Sequence, residues 1–153
     1  MAKDKLFLIT EISAAFKAVE LDGGIGLSEA NAIDEYKDEQ FRKQCKLNDE
    51  KHQWNAIPFS LLNKYNCSLS YFDAKGMRFH LPAFMIADIK GEYEFGMAFT
   101  LTHLSDYSKS QFALLSQKQK EVVKLFLEYL LLQPDYEFEK TSIQNAIANY
   151  WSA

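Results

Sequence analysis

Apolar residues recur at helical spacing in the first part of the chain. Leu8, Ile12, Ala15, Phe16 and Val19 fall on one side and predict a helix over residues 6–21, stopped by Asp22-Gly23-Gly24. Ser28 is placed to cap a second helix, with Glu29 at its positive end. Ala30, Ile33, Lys37 and Phe41 mark one side of it. The acid-before-base pairs Asp38–Arg42 and Glu39–Lys43 support it until it frays near Leu47-Asn48-Asp49. A charged connection over 46–52 leads to Trp54 and Ile57, which lock it onto the core, and then to a short helix over 59–65. Ser116 and Gln119 form a capping box. The helix they open runs to about Leu132, with Val122, Val123, Phe126, Leu127, Leu130 and Leu131 as its stripe. It is the strongest helical pattern and is expected at the centre of the fold. Gln133-Pro134-Asp135 ends it. Thr141 starts a last helix on Ile143, Ala146, Ile147, Tyr150 and Trp151.

Between these helices the period changes to two. Asp73-Ala74-Lys75-Gly76 has the chemistry of a type I turn closed by a glycine bulge, flanked by candidate strands over 68–72 and 77–81. Phe72, Met77, Phe79 and Leu81 then share a core face, while Leu69, Tyr71, Arg78 and His80 share the other. Pro82 ends the second strand and opens a short helix over 83–90, with Gly91 as a left-handed cap. Phe95, Met97, Phe99 and Leu101 alternate with small residues and suggest a third strand over 97–102. Residues 104–111 are polar and serine-rich, and read as a mobile loop. The expected fold is therefore α+β, with five or six helices around a small antiparallel hairpin or three-stranded sheet, in one domain over 1–153.

Composition sharpens this only slightly. The chain has 153 residues, 48% hydrophobic and 25% charged, as in an ordinary soluble globule with a substantial core. A net charge of −4 without a basic cluster argues against nucleic acid or an anionic membrane as partner. The N-terminal run from Met1 is too short and too polar for a signal peptide or a membrane span, so the cytoplasm is the expected compartment. Cys45 and Cys67 stand outside any CxxC and read as free thiols.

Catalytic motifs are sparse. Gly23-Gly24-Ile25-Gly26 lacks the Lys-Ser/Thr of a phosphate loop and follows a helix, so it reads as a helix–helix turn. His52, His80 and His103 have no ligand spacing, and no cofactor or metal site is expected. Asp34-Glu35 and Asp38-Glu39 read as solvated partners of basic neighbours. One constellation stands out: Tyr71, Arg78 and His80 on one hairpin face, with Asp73 in the turn. Arginine offers a rigid fork for a carboxylate or phosphate, and histidine titrates near neutrality. The competing reading has Arg78 stacked on Tyr71 and paired with an acid from another helix. Tyr150 and Trp151, or Tyr93, Phe95 and Tyr107, are candidates for a partner surface, with core closure as the alternative.

Two stretches carry a resemblance. Trp54-x-x-Ile57-Pro58, then Tyr71-x-Asp73-x-x-Gly76-x-Arg78-Phe79-x-Leu81-Pro82-Ala83-Phe84-Met85, resembles a bacterial family classed only as a domain of unknown function. Gly24-Ile25-Gly26-Leu27-Ser28-Glu29-Ala30 and Phe112-x-x-Leu115-Ser116-x-x-Gln119 fit the same pattern, while His80 replaces an expected aromatic. The resemblance implies fold and bacterial origin but no activity. The expectation is a non-enzymatic binding or interaction protein, immunity- or adaptor-like, with another protein as partner. The alternative is a small-molecule or anion binder, or a small enzyme, using the Tyr71, Asp73, Arg78 and His80 face.

Overall fold

The computed structural model describes the backbone from Ala2 to Ala153 and the side chains from Asp4 onward. Met1 lies outside the described residues. These residues form nine α-helices joined by short 3-10 turns, with no strand among them. The α+β expectation is thus corrected to an all-helical fold.

The centre is the segment read as a hairpin. Helix α5 runs from Ala74 to Ile89, with Asp73 as its N-cap. The Asp73 carboxylate accepts from the Gly76 amide at 2.8 Å. The same four residues suit a type I turn or a first helical turn, because both use nearly the same backbone angles. The residues after Gly76 decide between the two. From Met77 to Ile89 every residue except Arg78 and Asp88 is buried, Met77, Phe79, His80, Leu81, Pro82, Phe84 and Met85 among them. A helix hydrophobic all round belongs inside other helices. Pro82 sits in mid-helix and cannot donate to the Arg78 carbonyl one turn back. Gly91 has a φ of +73° and closes the helix as expected.

The other two expected strands also dissolve into helical turns. Residues Asn66–Ser70 form a 3-10 turn. The buried Gln111 amide donates to the Leu69 and Phe72 carbonyls, at 3.0 and 2.9 Å, so these carbonyls need no ladder. Ala98–Thr102 is a helix, α6. Met97 and Leu101 are 0% exposed while Phe95 and Phe99 are 59% and 73% exposed, so burial follows a four-residue spacing and not alternation. The serine-rich stretch is helix α7, Asp106–Gln111, capped by Ser105.

Around this centre, α1 (Ala2–Ala15) packs on α5 and on α8 (Gln117–Leu131), whose capping box forms as read. Buried Phe16 prolongs the stripe of α1, but the helix stops before residue 21. The expected single second helix is two: α2 (Leu27–Asp34) and α3 (Glu39–Asn48). Tyr36, at φ +57°, turns the chain between them, and Asp38 caps the second. Gly26, not Ser28, occupies the cap position of α2. Trp54 forms a 3-10 turn against α5 and donates from its indole N–H to the Phe16 carbonyl at 2.9 Å. Helix α4 is Phe59–Lys64. The last helix, α9 (Lys140–Ala146), comes after a 3-10 segment from Pro134 and runs on through a π turn to Trp151, whose indole donates to the Leu101 carbonyl at 2.8 Å. No helix among the described residues is long and apolar enough to cross a membrane.

Candidate functional site

The helix through 74–89 scatters the residues expected on one hairpin face. His80 is fully buried, stacked on Phe72 at 4.3 Å between ring centres and edge-on to Phe79. Its Nδ1 lies 2.7 Å from the Gly76 carbonyl, so Nδ1 carries the hydrogen and donates, while Nε2 has no partner. Burial pushes its pKa down to about 4, against a smaller opposing pull from the Gly76 hydrogen bond and from Asp49 and Asp73. Asp73 faces the glycine loop instead, accepting from the Ile25 amide at 3.0 Å. Arg78 reaches the Asp22 carboxylate at 3.3 Å, an acid from the loop after α1. Its Nε is buried without a partner. Tyr71 is half-buried, and the Asp34 carboxylate beside its hydroxyl raises its pKa. Asp73 and Arg78 therefore stay near one helix end, while the histidine is sealed in the core.

Glycines explain how the loop comes so close. A Cβ on Gly24 would lie 2.6 Å from Cβ of Lys75, and one on Gly76 would run into the Ile25 carbonyl. The Lys75 ammonium donates to the Asp22 carbonyl, and Lys46 donates to those of Gly23 and Gly24. Every one of these contacts is internal, so the Gly23–Gly26 run serves as a helix–helix turn, as read.

The arrangement most suited to binding lies at the opposite end of α5. Asp88 opens on a cleft of about 550 Å³, bounded by Tyr93, Phe95, Tyr129 and Tyr136 and edged by Glu94, Asp135 and Glu139, with Lys5 opposite in charge. The Asp88 carboxylate accepts from the Met97 amide at 2.8 Å and from the Tyr136 hydroxyl at 3.0 and 3.1 Å. Burial raises its pKa, and those two hydrogen bonds pull it back in part. The phenols of Tyr93, Tyr129 and Tyr136 are all raised, first by burial and then by Asp88. They stay protonated, and the Tyr136 hydroxyl donates to the carboxylate. Gly96, at φ +70°, allows this closure, since a Cβ there would sit 2.6 Å from the Tyr136 oxygen. The carboxylate has spare lone pairs, because two donors do not fill its acceptor capacity. A half-buried anion in a cleft lined by aromatic residues favours a cationic group.

Asp88 is a functional candidate that motif and spacing do not single out. A lone acid inside the apolar run from 77 to 89 is the signal the sequence offers, since carboxylates are rarely buried without purpose or partner. The expected aromatic surface divides. Trp151 and Tyr93 are buried and close the core, whereas Phe95 and Tyr107 are exposed. The thiols of Cys45 and Cys67 are free. Among the described residues no group of three or more His, Cys, Asp and Glu side chains could hold a metal ion.

Residues 4–153 match the model of a family of unknown function, DUF6714. No curated protein and no solved structure matches the chain.

Proposed function

The chain belongs to the DUF6714 family, which brings no activity with it, and we propose that it is a non-enzymatic binding protein whose acceptor is the Asp88 cleft. Such a protein acts by holding a partner, in the manner of an immunity or adaptor protein. One observation carries the reading: a carboxylate at the edge of the core, oriented by the Met97 amide and the Tyr136 hydroxyl, faces a cleft walled by tyrosines. The group it suits is a protonated amine, a quaternary ammonium or a guanidinium. Aromatic faces and a desolvated carboxylate attract all three, and the extra acids at the rim draw them in.

The test is thermal unfolding of the wild type and Asp88→Asn with propylammonium, tetramethylammonium or guanidinium chloride, against matched potassium chloride. Binding to the folded state raises the midpoint by mass action. A rise above the potassium control in the wild type, absent in the variant, is expected. Equal responses of the two proteins, or none, would remove the cleft as acceptor.

A second reading keeps an anion-binding role at Arg78. It is supported by the guanidinium itself, which engages Asp22 through one nitrogen while Nε has no partner. Tyr71 and Asp73 flank that end of the helix in sequence, and His80 contributes only packing to it. Stabilisation by inorganic phosphate, lost in Arg78→Ala, would favour this reading.

A further inference from the structure

A second groove adjoins the cleft. It lies between α1 and α8 and has a volume of about 420 Å³, and both Tyr129 and Gln133 line it as well as the Asp88 cleft. Its walls are apolar, formed chiefly by Phe7, Leu125 and Leu132, and acids stand beside them at Asp4 and Glu128. Phe7 and Leu132 are 59% and 79% exposed, which is a large apolar area for side chains on helices that pack well elsewhere. The two depressions thus form one track, apolar at one end and anionic at the other. Among the described residues lining them, six are carboxylates and one, Lys5, is basic.

We infer that this track is the docking surface for a basic amphipathic helix of another protein, which seats its apolar stripe between α1 and α8 and sends one cationic side chain into the Asp88 cleft. The inference rests on the proposed cation-binding role of that cleft and names the source of the cation. Charge complementarity selects the occupant. An acidic or neutral helix would meet the carboxylates without compensation, and an anionic membrane would be repelled by them. A free amine would fill the cleft and leave the apolar end wet. A helix with anchors one turn apart spans both, since helix-in-groove recognition reads residues at i, i+3, i+4 and i+7.

The experiment uses fluorescence anisotropy with three labelled synthetic peptides. One is a leucine–lysine amphipathic helix. The second has the same composition in scrambled order, without an apolar stripe. The third replaces lysine by glutamate. Each is titrated with the wild type, Asp88→Asn, and the double variant Phe7→Ser with Leu132→Ser, two exposed positions, with circular dichroism to check that each variant is folded. The expected result is binding of the first peptide only, weakened about tenfold or more by either variant. Equal binding of the scrambled peptide, or no effect of the double variant, would overturn the helix docking. If propylammonium still stabilises the wild type through Asp88 in that case, the cleft reading survives without it. Loss of both responses would remove both. A concentration-dependent dimer abolished by the double variant would assign the groove to a second copy and overturn the inference.

Discussion

The Asp49 carboxylate occupies the place where an N-cap side chain would stand on α2, and Gly26, the residue at that cap, leaves the space free. One oxygen of Asp49 accepts from the Ser28 amide and hydroxyl, at 2.9 and 2.6 Å, and the other from the Glu29 amide at 3.0 Å. The cap is supplied by the end of α3, about twenty residues along the chain. Gly26→Ala would place its Cβ 2.7 Å from that of Asp49. Both Gly26→Ala and Asp49→Ala are expected to lower stability by about 1–3 kcal/mol, and their double variant by less than the sum. Urea unfolding of the four proteins measures this.

Gly76 inverts the usual rule for helices. Replacing a helical glycine by alanine ordinarily gains about 1 kcal/mol. Here the new Cβ meets the Ile25 carbonyl, which is backbone and cannot swing aside. Gly76→Ala is expected to cost about 1–3 kcal/mol through overpacking. A gain in stability would show that the loop relaxes away from α5.

His80 makes stability depend on pH. Its pKa is about 4 when folded against the usual 6.5, so the unfolded chain binds the extra proton between those values. The stabilisation is full above about pH 6.5 and is lost as pH falls toward 4, a change of roughly 3 kcal/mol. His80→Phe removes this contribution, so the stability difference between wild type and variant should shift against the wild type by that amount over the same window. Parallel curves would show that the imidazole is not sealed in the core.

Asp88 acts with the opposite sign. Its folded pKa is raised above the usual 3.8, so just above that value the folded state holds the proton more tightly. Stability from this group is present in acid and falls as pH rises through the raised value. Asp88→Asn should therefore gain on the wild type toward neutral pH while losing cation binding. Gly96→Ala, which drives into the Tyr136 hydroxyl, should weaken cation binding with Asp88 still in place. Midpoints measured across pH, with and without propylammonium, check both.

The helices with a single apolar stripe are legible in the sequence. Ser116 and Gln119 cap α8, and the spacing selects five of its buried residues, Val122, Val123, Phe126, Leu127 and Leu130, while Leu131 is half-buried. The segment from 68 to 102 is not, for a physical reason. Alternation at Phe72, Met77, Phe79 and Leu81 identifies a strand only if the residues between them face water, and His80 does not. A helix buried on every side has no stripe to read. The site suffers the same fate. Tyr71, Arg78 and His80 share a face only on a strand, and on a helix Arg78 and His80 are two residues apart and diverge. Asp88 gains its setting from Met97 and Tyr136, which no local pattern joins to it.

The all-round burial of α5 has a consequence for how the chain can be divided. Its walls come from α1 and α4 upstream and α7 downstream, and the Trp54 turn closes another side. A protein cleaved within residues 91–96 would yield two fragments, and neither contains every wall. The first would leave the side of α5 that α7 covers open to water, and the second would lack the helix that α7 packs against. Recombined, the fragments should complement one another and refold together, because the helix at the middle of the sequence is also the element that both halves require.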